Sequence, residues 1–280
     1  MIIGHEELQK EFRKLAGEGE LAQGYIFYGP ARVGKFAFAC ALANQLENKI
    51  FERGSRAPLG DTLFLRSDET GSIGIDRVRE VKRFIWQKPN RSARRTLIID
   101  NADLLTDEAQ NALLKIAEEP PPSGLVILII DDPEKIRPTL QSRFPKVYFG
   151  PVSAKKIEKW LEAEHGLTEA SAVKLAAGSI GLPGLAIELM DKNSKLNLRL
   201  GQAGRYLKAQ GVARVALVKE ILESEEFQLD NFLEALAIYA AQSGYEQPRF
   251  WHQLLGLRRQ ASYFNLNPKI QLIALGKTIS

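Results

Sequence analysis

The stretch 28-YGPARVGKFAF-38 has glycines and a lysine at the spacing of a phosphate-binding loop. Gly29, Gly34 and Lys35 fit the pattern G-x-x-x-x-G-K, between an apolar strand at 24–29 and a helix from Lys35 to about Leu46. In such a loop, backbone N–H groups surround a phosphate at a helix N-terminus, the lysine neutralises phosphate charge, and the hydroxyl of the next residue binds magnesium. The next residue here is Phe36, which offers no ligand atom. The stretch therefore predicts a nucleotide site that has lost one metal ligand.

The stretch 97-LIIDNAD-103 carries the second nucleotide signal, an apolar strand that ends in an aspartate. Asp100 is in place, but the next residue is Asn101, which cannot act as a general base at neutral pH. Asp103 is predicted to cap the next helix or to lie at the surface. Gly29, Gly34, Lys35 and Asp100 together predict a vestigial nucleotide site, for which no cofactor is required and weak ATP or ADP binding is left open.

Two aspartates follow the apolar strand 125-LVILII-130, in the segment 131-DDP-133. If they face the nucleotide, their charge repels a triphosphate and disfavours tight ATP binding. If they do not, they start a turn before Pro133. Both interpretations stay open at this point.

A basic run without acidic residues occupies 82-KRFIWQKPNRSARR-95. Its candidates for DNA contact are Lys82, Arg83, Lys88, Arg91, Arg94 and Arg95. Contacts of such residues with phosphates would give non-specific, salt-sensitive DNA binding. The alternative is a solvated charged face, which is the common role of a charge run.

Composition narrows the class of protein. The chain has 280 residues, 26% of them charged, a net charge of +4 and one cysteine, Cys40. A single cysteine excludes a disulfide framework and a four-thiolate zinc site, and its apolar setting predicts a core residue. Without a signal-peptide core or a membrane-length apolar run, we expect a cytoplasmic protein.

Alternating strands and helices up to residue 151 predict an α/β domain with a parallel sheet covered on both faces. Strands are predicted near 24–29, 62–66, 96–100, 125–130 and 146–149. Beyond Pro151 the strand patterns disappear. We expect a small helical domain at 152–196 and a helical domain at 197–280, with a turn at 265–268. The apolar residues Phe232, Leu233, Leu236, Ile238 and Tyr239 are more than a short helical domain is expected to bury alone.

Five stretches together resemble the AAA+ clamp-loader family of bacterial DNA polymerase III. They are 2-IIGHEELQKEF-12, 24-GYIFYGPARVGK-35, 98-IIDNADLLTDEAQNALLKIAEEPP-121, 133-PEKIRPTLQSRF-144 and 265-NLNPKIQLIAL-275. The resemblance implies an AAA+ P-loop domain at 1–151, a helical lid at 152–196 and a collar at 197–280. It implies a hetero-oligomer that also contains the motor subunits and the delta subunit. This complex is expected to contact the sliding clamp transiently and to bind primer-template DNA.

The resemblance also implies roles for single residues. Arg143 of 142-SR-143 corresponds to an arginine that reaches the ATP of the next subunit, where a guanidinium stabilises phosphoryl charge. The alternative is an arginine paired locally at a helix end. Phe144 stands where the motif has a cysteine, which should matter little. The region 178-GSIGLPGLAIEL-189 lacks the arginine that active subunits carry in the second sensor, and the chain lacks the four-cysteine zinc module of many relatives.

These departures predict a non-hydrolysing clamp-loader subunit, and the resemblance implies that it donates Arg143 in trans. The main rival is an ATP-hydrolysing protein, either a motor subunit of the loader or a stand-alone AAA+ ATPase. Phe36 and Asn101 favour the first interpretation, since a metal ligand and a general base are missing together. A third possibility is a scaffold with negligible DNA contact.

Overall fold

The computed structural model describes residues 2–54, 59–67, 71–224, 227–261 and 266–279. The chain forms two compact units, the first made of Met1–Ala172 with Gly181–Gly184, and the second of Val173–Ile180 with Leu185–Ser280. The division into three domains at 151 and 196 stays a prediction. Among the described residues, every helix is too short or too polar to cross a membrane.

The first unit contains a five-stranded parallel sheet with the order β2-β3-β4-β1-β5. Its strands are β1 (Gly24–Tyr28), β2 (Thr62–Leu65), β3 (Arg95–Ile99), β4 (Gly124–Ile130) and β5 (Lys146–Tyr148). Every residue of the central strands β3 and β4 is buried, as continuous apolar runs in a doubly covered sheet require. The predicted α/β fold with a parallel sheet is confirmed.

Helices cover the two faces of this sheet. They are α1 (Glu6–Glu18), α2 (Lys35–Asn48), α3 (Ile75–Ile85), α4 (Asp107–Glu118) and α5 (Pro138–Gln141), and the next helix along the chain is α6 (Ala154–His165). One apolar cluster joins α3 and α4 to the sheet, and a second joins α1 and α2 to the opposite face. Cys40 lies buried in α2, as predicted, and burial raises the pKa of its thiol to about 11.

The register of the strands brings three loops to one edge of the sheet. Tyr28 of β1 lies opposite Ile130 of β4, and Ile99 of β3 lies opposite Leu128 of β4. The residues that follow these strands are Gly29, Asp131 and Asp100, so the parallel arrangement places all three beside one another.

Two helices, α7 (Glu169–Gly178) and α8 (Pro183–Met190), have residues in both units. The second unit continues with α9 (Lys195–Lys208), α10 (Gly211–Leu222), α11 (Leu229–Gln242), α12 (Pro248–Ala261) and α13 (Pro268–Gly276). Asn267 caps α13 by accepting from the N–H of Ile270, whereas Asn265 of the predicted turn lies outside the described residues.

The apolar residues of α11 do not form the surplus surface that the sequence predicts. Phe232, Leu233, Leu236 and Ile238 are buried, and Tyr239 packs against the same core. That prediction was wrong because α9, α10, α12 and α13 supply enough apolar area to cover α11. The large apolar side chains that this unit does expose include Leu198, Val212, Leu255 and Ile270.

Candidate nucleotide site and basic surfaces

The glycine loop has the backbone conformation that its glycines predict. Gly29 and Gly34 have φ angles of 140° and 115°, and α2 begins at Lys35. A Cβ atom at Gly29 would lie 2.2 Å from the carbonyl oxygen of Phe149, so only glycine fits there. The predicted strand–loop–helix arrangement is therefore present.

The ammonium group of Lys35 is bound by the protein itself. Its Nζ donates to the carbonyl oxygens of Gly29 and Pro30, at 2.6 and 2.8 Å, and to Oδ1 of Asp131 at 2.8 Å. An ammonium has three donors, and these contacts use all three. The Lys35 side chain is only 5% exposed. One of the three partners of the Lys35 ammonium is thus a carboxylate, that of the half-exposed Asp131.

Arg66 lies between the two positions that would bind a metal ion. Its guanidinium carbon is 4.7 Å from the centroid of the Phe36 ring, and its Nε is 3.6 Å from Oδ2 of Asp100. The Phe36 ring also packs beside Phe64, with 5.8 Å between centroids. Burial raises the pKa of Asp100, although the charge of Arg66 acts in the opposite direction.

Sequence reasoning missed Arg66. A signal was available, because Arg66 directly follows β2 and β2 lies beside β3, which ends just before Asp100. The N–H of Asp100 donates to the carbonyl oxygen of Leu65, which brings the two chain segments together.

The residues after β3 and β4 divide into clear structural roles. Asn101 has a left-handed backbone with φ 52°, a conformation that asparagine tolerates better than most residues. Asp103 pairs with Lys135 at 3.2 Å instead of capping α4, whose cap is Thr106. The cap prediction for Asp103 was wrong. Asp132 starts the turn before Pro133 by accepting from the N–H of Glu134, whereas Asp131 faces the loop.

The second-sensor region approaches the glycine loop through its backbone. The N–H of Gly184 donates to the carbonyl oxygen of Arg32 at 2.9 Å, within the first unit. A Cβ atom at Gly184 would lie 3.0 Å from that oxygen. A side chain at position 184 would therefore require the loop to move, whereas the missing arginine is expected after the glycine, where Leu182, Pro183 and Leu185 stand.

Arg143 has a partner inside its own chain. Its Nη2 donates to Oε1 of Glu118 at 2.7 Å, and its Nη1 donates to the carbonyl oxygen of Thr139 at 2.8 Å. The side chain is still 34% exposed. The local pairing that the sequence left as an alternative is therefore present, and a role in trans stays a prediction.

Phe144 is more than a neutral replacement of a cysteine. It is buried in the core, and a Cβ atom at Gly24 would lie 2.2 Å from its ring. The glycine at the start of β1 thus leaves the room that this ring fills. The expectation that Phe144 matters little does not extend to packing, because the ring is part of the core next to Arg143 in sequence.

The six basic candidates of the 82–95 run separate into two groups. Lys82, Arg83, Lys88 and Arg91 are exposed on α3 and the loop after it. The guanidinium of Arg94 donates to the carbonyl oxygens of Leu21, Ala22 and Gly124. Arg95 is buried, pairs with Asp61 at 3.2 Å and donates to the carbonyl oxygen of Lys88. We therefore correct the prediction and drop Arg94 and Arg95 as DNA contacts.

Asp61, which the sequence did not single out, organises the loop of the basic run. Its buried carboxylate accepts from the backbone N–H groups of Asn90, Arg91 and Ser92, at 2.7 to 3.0 Å. Burial raises the pKa of Asp61, but these hydrogen bonds and Arg95 outweigh it, so the pKa lies below its ordinary value. The exposed basic residues therefore stand on a loop held by one buried anion.

The parallel sheet, the glycine loop and the helical second unit define an AAA+ protein. Residues 4–153, more than half of the chain, match the family described as DNA polymerase III, delta subunit. The chain belongs to that family, and the predicted clamp-loader resemblance is confirmed.

Two of the similar proteins are different subunits of DNA polymerase III. The chain is 32% identical over 157 residues to the DNA polymerase III subunit gamma/tau of Mycobacterium tuberculosis, covering 51% of this chain and 27% of that protein. It is 30% identical over 148 residues to the subunit delta' of Pseudomonas aeruginosa, covering 48% of this chain and 45% of that protein. The chain thus spans less than half the length of these curated relatives.

A solved structure supports the fold over nearly the whole chain. The gamma subunit-related DNA polymerase III protein of Thermotoga maritima superposes with a TM-score of 0.57, covering 96% of this chain and 98% of that one. The two sequences are 19% identical, so this likeness concerns the fold alone.

Proposed function

We propose that this chain is a non-hydrolysing subunit of the DNA polymerase III clamp loader, of the delta' kind, which supports loading of the sliding clamp on primed DNA. The observation that carries the proposal is the contact of Lys35 with Asp131, because it takes the loop lysine away from any phosphate. Family membership supports the assembly into which the proposal places the chain. A cytoplasmic location is part of the same proposal.

The absence of hydrolysis follows from three positions. Phe36 cannot bind a metal ion, and Asn101 cannot take a proton from water at neutral pH. Asp100 is 3.6 Å from the guanidinium of Arg66. Changing Asn101 to glutamate would put a glutamate in the left-handed backbone conformation, which disfavours it. Restoring Phe36→Ser and Asn101→Glu together is therefore expected to give little activity.

The proposal gives Arg143 the role of an arginine finger for a neighbouring ATPase subunit. Its guanidinium is partly exposed, and its acid partner Glu118 is about half exposed. Exposed ion pairs of this kind are weak, so exchange of the Glu118 carboxylate for a phosphate oxygen is energetically accessible. The planar guanidinium fork can then span two phosphate oxygens.

The proposed partners are the motor subunits, the delta subunit and primer-template DNA, together with the sliding clamp as a transient partner. For DNA, the exposed residues Lys82, Arg83, Lys88 and Arg91 are the remaining candidates, and they would contact phosphates. For the other subunits, the second unit supplies the proposed collar. Its exposed apolar side chains, such as Leu198 and Val212, are the proposed contacts, since the apolar face of α11 is buried.

The rival function is an ATP-hydrolysing motor subunit, which the similarity to gamma/tau favours. Steady-state ATP turnover by the purified chain separates the two. We expect turnover at background, unchanged by Lys35→Ala. Turnover that Lys35→Ala abolishes would support the motor subunit.

Assembly is tested by co-purification of the tagged chain from its native cell extract and by reconstitution with motor and delta subunits. We expect both kinds of subunit to accompany the chain, and clamp loading to require it. A chain that stays alone in both experiments would contradict the proposal.

A further inference from the structure

The glycine loop does not fit the ATP–magnesium group that its fold implies. A bound polyphosphate needs donors from the loop lysine, and its metal ion needs oxygen ligands from the protein. Lys35 instead uses its three donors on two carbonyl oxygens and Asp131. Phe36 offers no oxygen, and the oxygen of Asp100 faces Arg66.

The charges that replace the ligand have the same signs as the ligand's own groups. A carboxylate from the end of β4 meets the loop lysine, as a phosphate oxygen would. A guanidinium from the end of β2 lies between Phe36 and Asp100, as a divalent cation would. Both replacements come from residues that directly follow strands of the same sheet, so the fold itself positions them.

We propose that Asp131 and Arg66 are built-in substitutes for the phosphate and the divalent cation of a nucleotide. Asp131 is then the residue that determines whether the loop accepts a nucleoside diphosphate or triphosphate. Removing its charge frees one donor of Lys35 and removes a like charge from the path of the phosphates. Nucleotide binding gained in this way needs no magnesium, because Arg66 is itself a cation that pairs with phosphate.

The inference rests on the proposed function and deepens it, since it explains what keeps nucleotide out of the proposed non-hydrolysing loop. The two can still fail separately. If the chain fails to join the loader, the proposed function is wrong, but Asp131 can still keep nucleotide out of the loop. Failure of Asp131 variants to gain nucleotide would sink this inference and leave the assembly role intact.

The test is a titration of the full chain with a fluorescent ADP derivative, in magnesium and in EDTA. The variants are Asp131→Asn, Asp131→Ser as a second version, and Asp131→Asn combined with Lys35→Ala. The matched control is Asp132→Asn, which removes a neighbouring charge that faces away from Lys35 and caps a turn. Circular dichroism of each variant verifies folding.

We expect both single Asp131 variants to bind ADP roughly tenfold or more tightly than the wild type, because a like charge at close range is removed. EDTA should leave this gain in place, Asp132→Asn should not reproduce it, and Lys35→Ala should abolish it. Wild-type binding as tight as that of the Asp131 variants would overturn the inference. A gain that survives Lys35→Ala, or that requires magnesium, would overturn it as well.

Discussion

Lys35 and Arg143 are both basic residues of nucleotide motifs, and both are paired with a carboxylate of the same chain, but the pairs differ in burial. The difference lies in the basic residue: Lys35 is 5% exposed and has three oxygen partners, although its acid partner Asp131 is 48% exposed. Arg143 is 34% exposed, and its partner Glu118 is 51% exposed. The buried lysine cannot leave its partners without an anion to replace them, because an unpaired buried charge is strongly disfavoured. The exposed arginine can.

Under the proposed function, the glycine loop is retained for its fold, whereas Arg143 is available to a partner subunit. Around Lys35 the protein itself supplies a carboxylate and two carbonyl oxygens for the ammonium group. The ion pair of Arg143 with Glu118 is partly exposed, and such pairs contribute about 0–1 kcal/mol to stability. A phosphate oxygen can therefore replace the Glu118 carboxylate. Mutations of the Lys35 pair should therefore change nucleotide binding by this chain, whereas mutations of the Arg143 pair should change the ATPase rate of the loader.

The largest effect is expected from Arg143→Ala in a reconstituted loader. If Arg143 acts in trans, the ATPase rate at the adjacent interface should fall by roughly 10³–10⁵, the usual contribution of an arginine finger. The whole complex should lose less, since its other interfaces keep their own arginines. DNA-stimulated ATPase and clamp loading are the measurements.

Two further variants sharpen the Arg143 experiment. Arg143→Lys should not restore the rate, because an ammonium lacks the planar fork of the guanidinium. Arg137→Ala is the matched control, since Arg137 is also partly exposed and pairs with Asp107 at 2.9 Å. Wild-type rates in both Arg143 variants would show that Arg143 is a local structural residue.

The Arg95–Asp61 pair extends the comparison to complete burial, with both side chains under 10% exposed. Asp61→Ala removes the carboxylate that pairs with Arg95 and leaves three backbone N–H groups without their acceptor, although Arg95 keeps the carbonyl oxygens of Gly60 and Lys88. We expect the free energy of unfolding to fall by about 3–5 kcal/mol, the range for a broken buried pair. Urea unfolding of the full chain measures this loss, with hydrogen exchange at 95–99 as a local probe. Asp76→Asn, which removes an exposed carboxylate paired with Arg79, should change little.

The contribution of the Arg95–Asp61 pair to the free energy of unfolding should depend on pH. The pKa of Asp61 is lower in the folded chain than in the unfolded chain, so its stabilisation is present above the unfolded pKa. It is lost as the pH falls through the folded pKa. The stability gap between wild type and Asp61→Ala should therefore be constant between neutral pH and about pH 5 and narrow below about pH 4. A gap that widens on acidification would contradict this account of Asp61.

Much of the fold could be predicted because the central strands β3 and β4 are buried on both faces and have continuous apolar sequences. The loop glycines, the missing metal ligand at Phe36 and the missing general base at Asn101 could also be predicted, because each position lies next to a strand or helix that the sequence identifies. The ion-pair partners of the charged residues could not be predicted from the sequence. Lys35 with Asp131 and Arg95 with Asp61 join residues far apart in sequence, and only strand order and register bring them together. The count of basic residues in 82–95 likewise could not separate inward from outward side chains.

The smallest effect is expected from Glu118→Gln, which removes the local partner of Arg143. The pair is exposed, so the free energy of unfolding should change by less than about 1 kcal/mol. If the carboxylate only holds Arg143 until a neighbour's phosphate replaces it, the loader ATPase should stay within roughly fivefold of wild type, the factor that 1 kcal/mol represents. Glu119→Gln, at the exposed neighbouring position, is the matched control. A loss in Glu118→Gln as large as that in Arg143→Ala would mean that the pair persists in the complex and that Glu118 positions the guanidinium. Arg143 would then be as fixed as Lys35, and the contrast between the two regions would disappear.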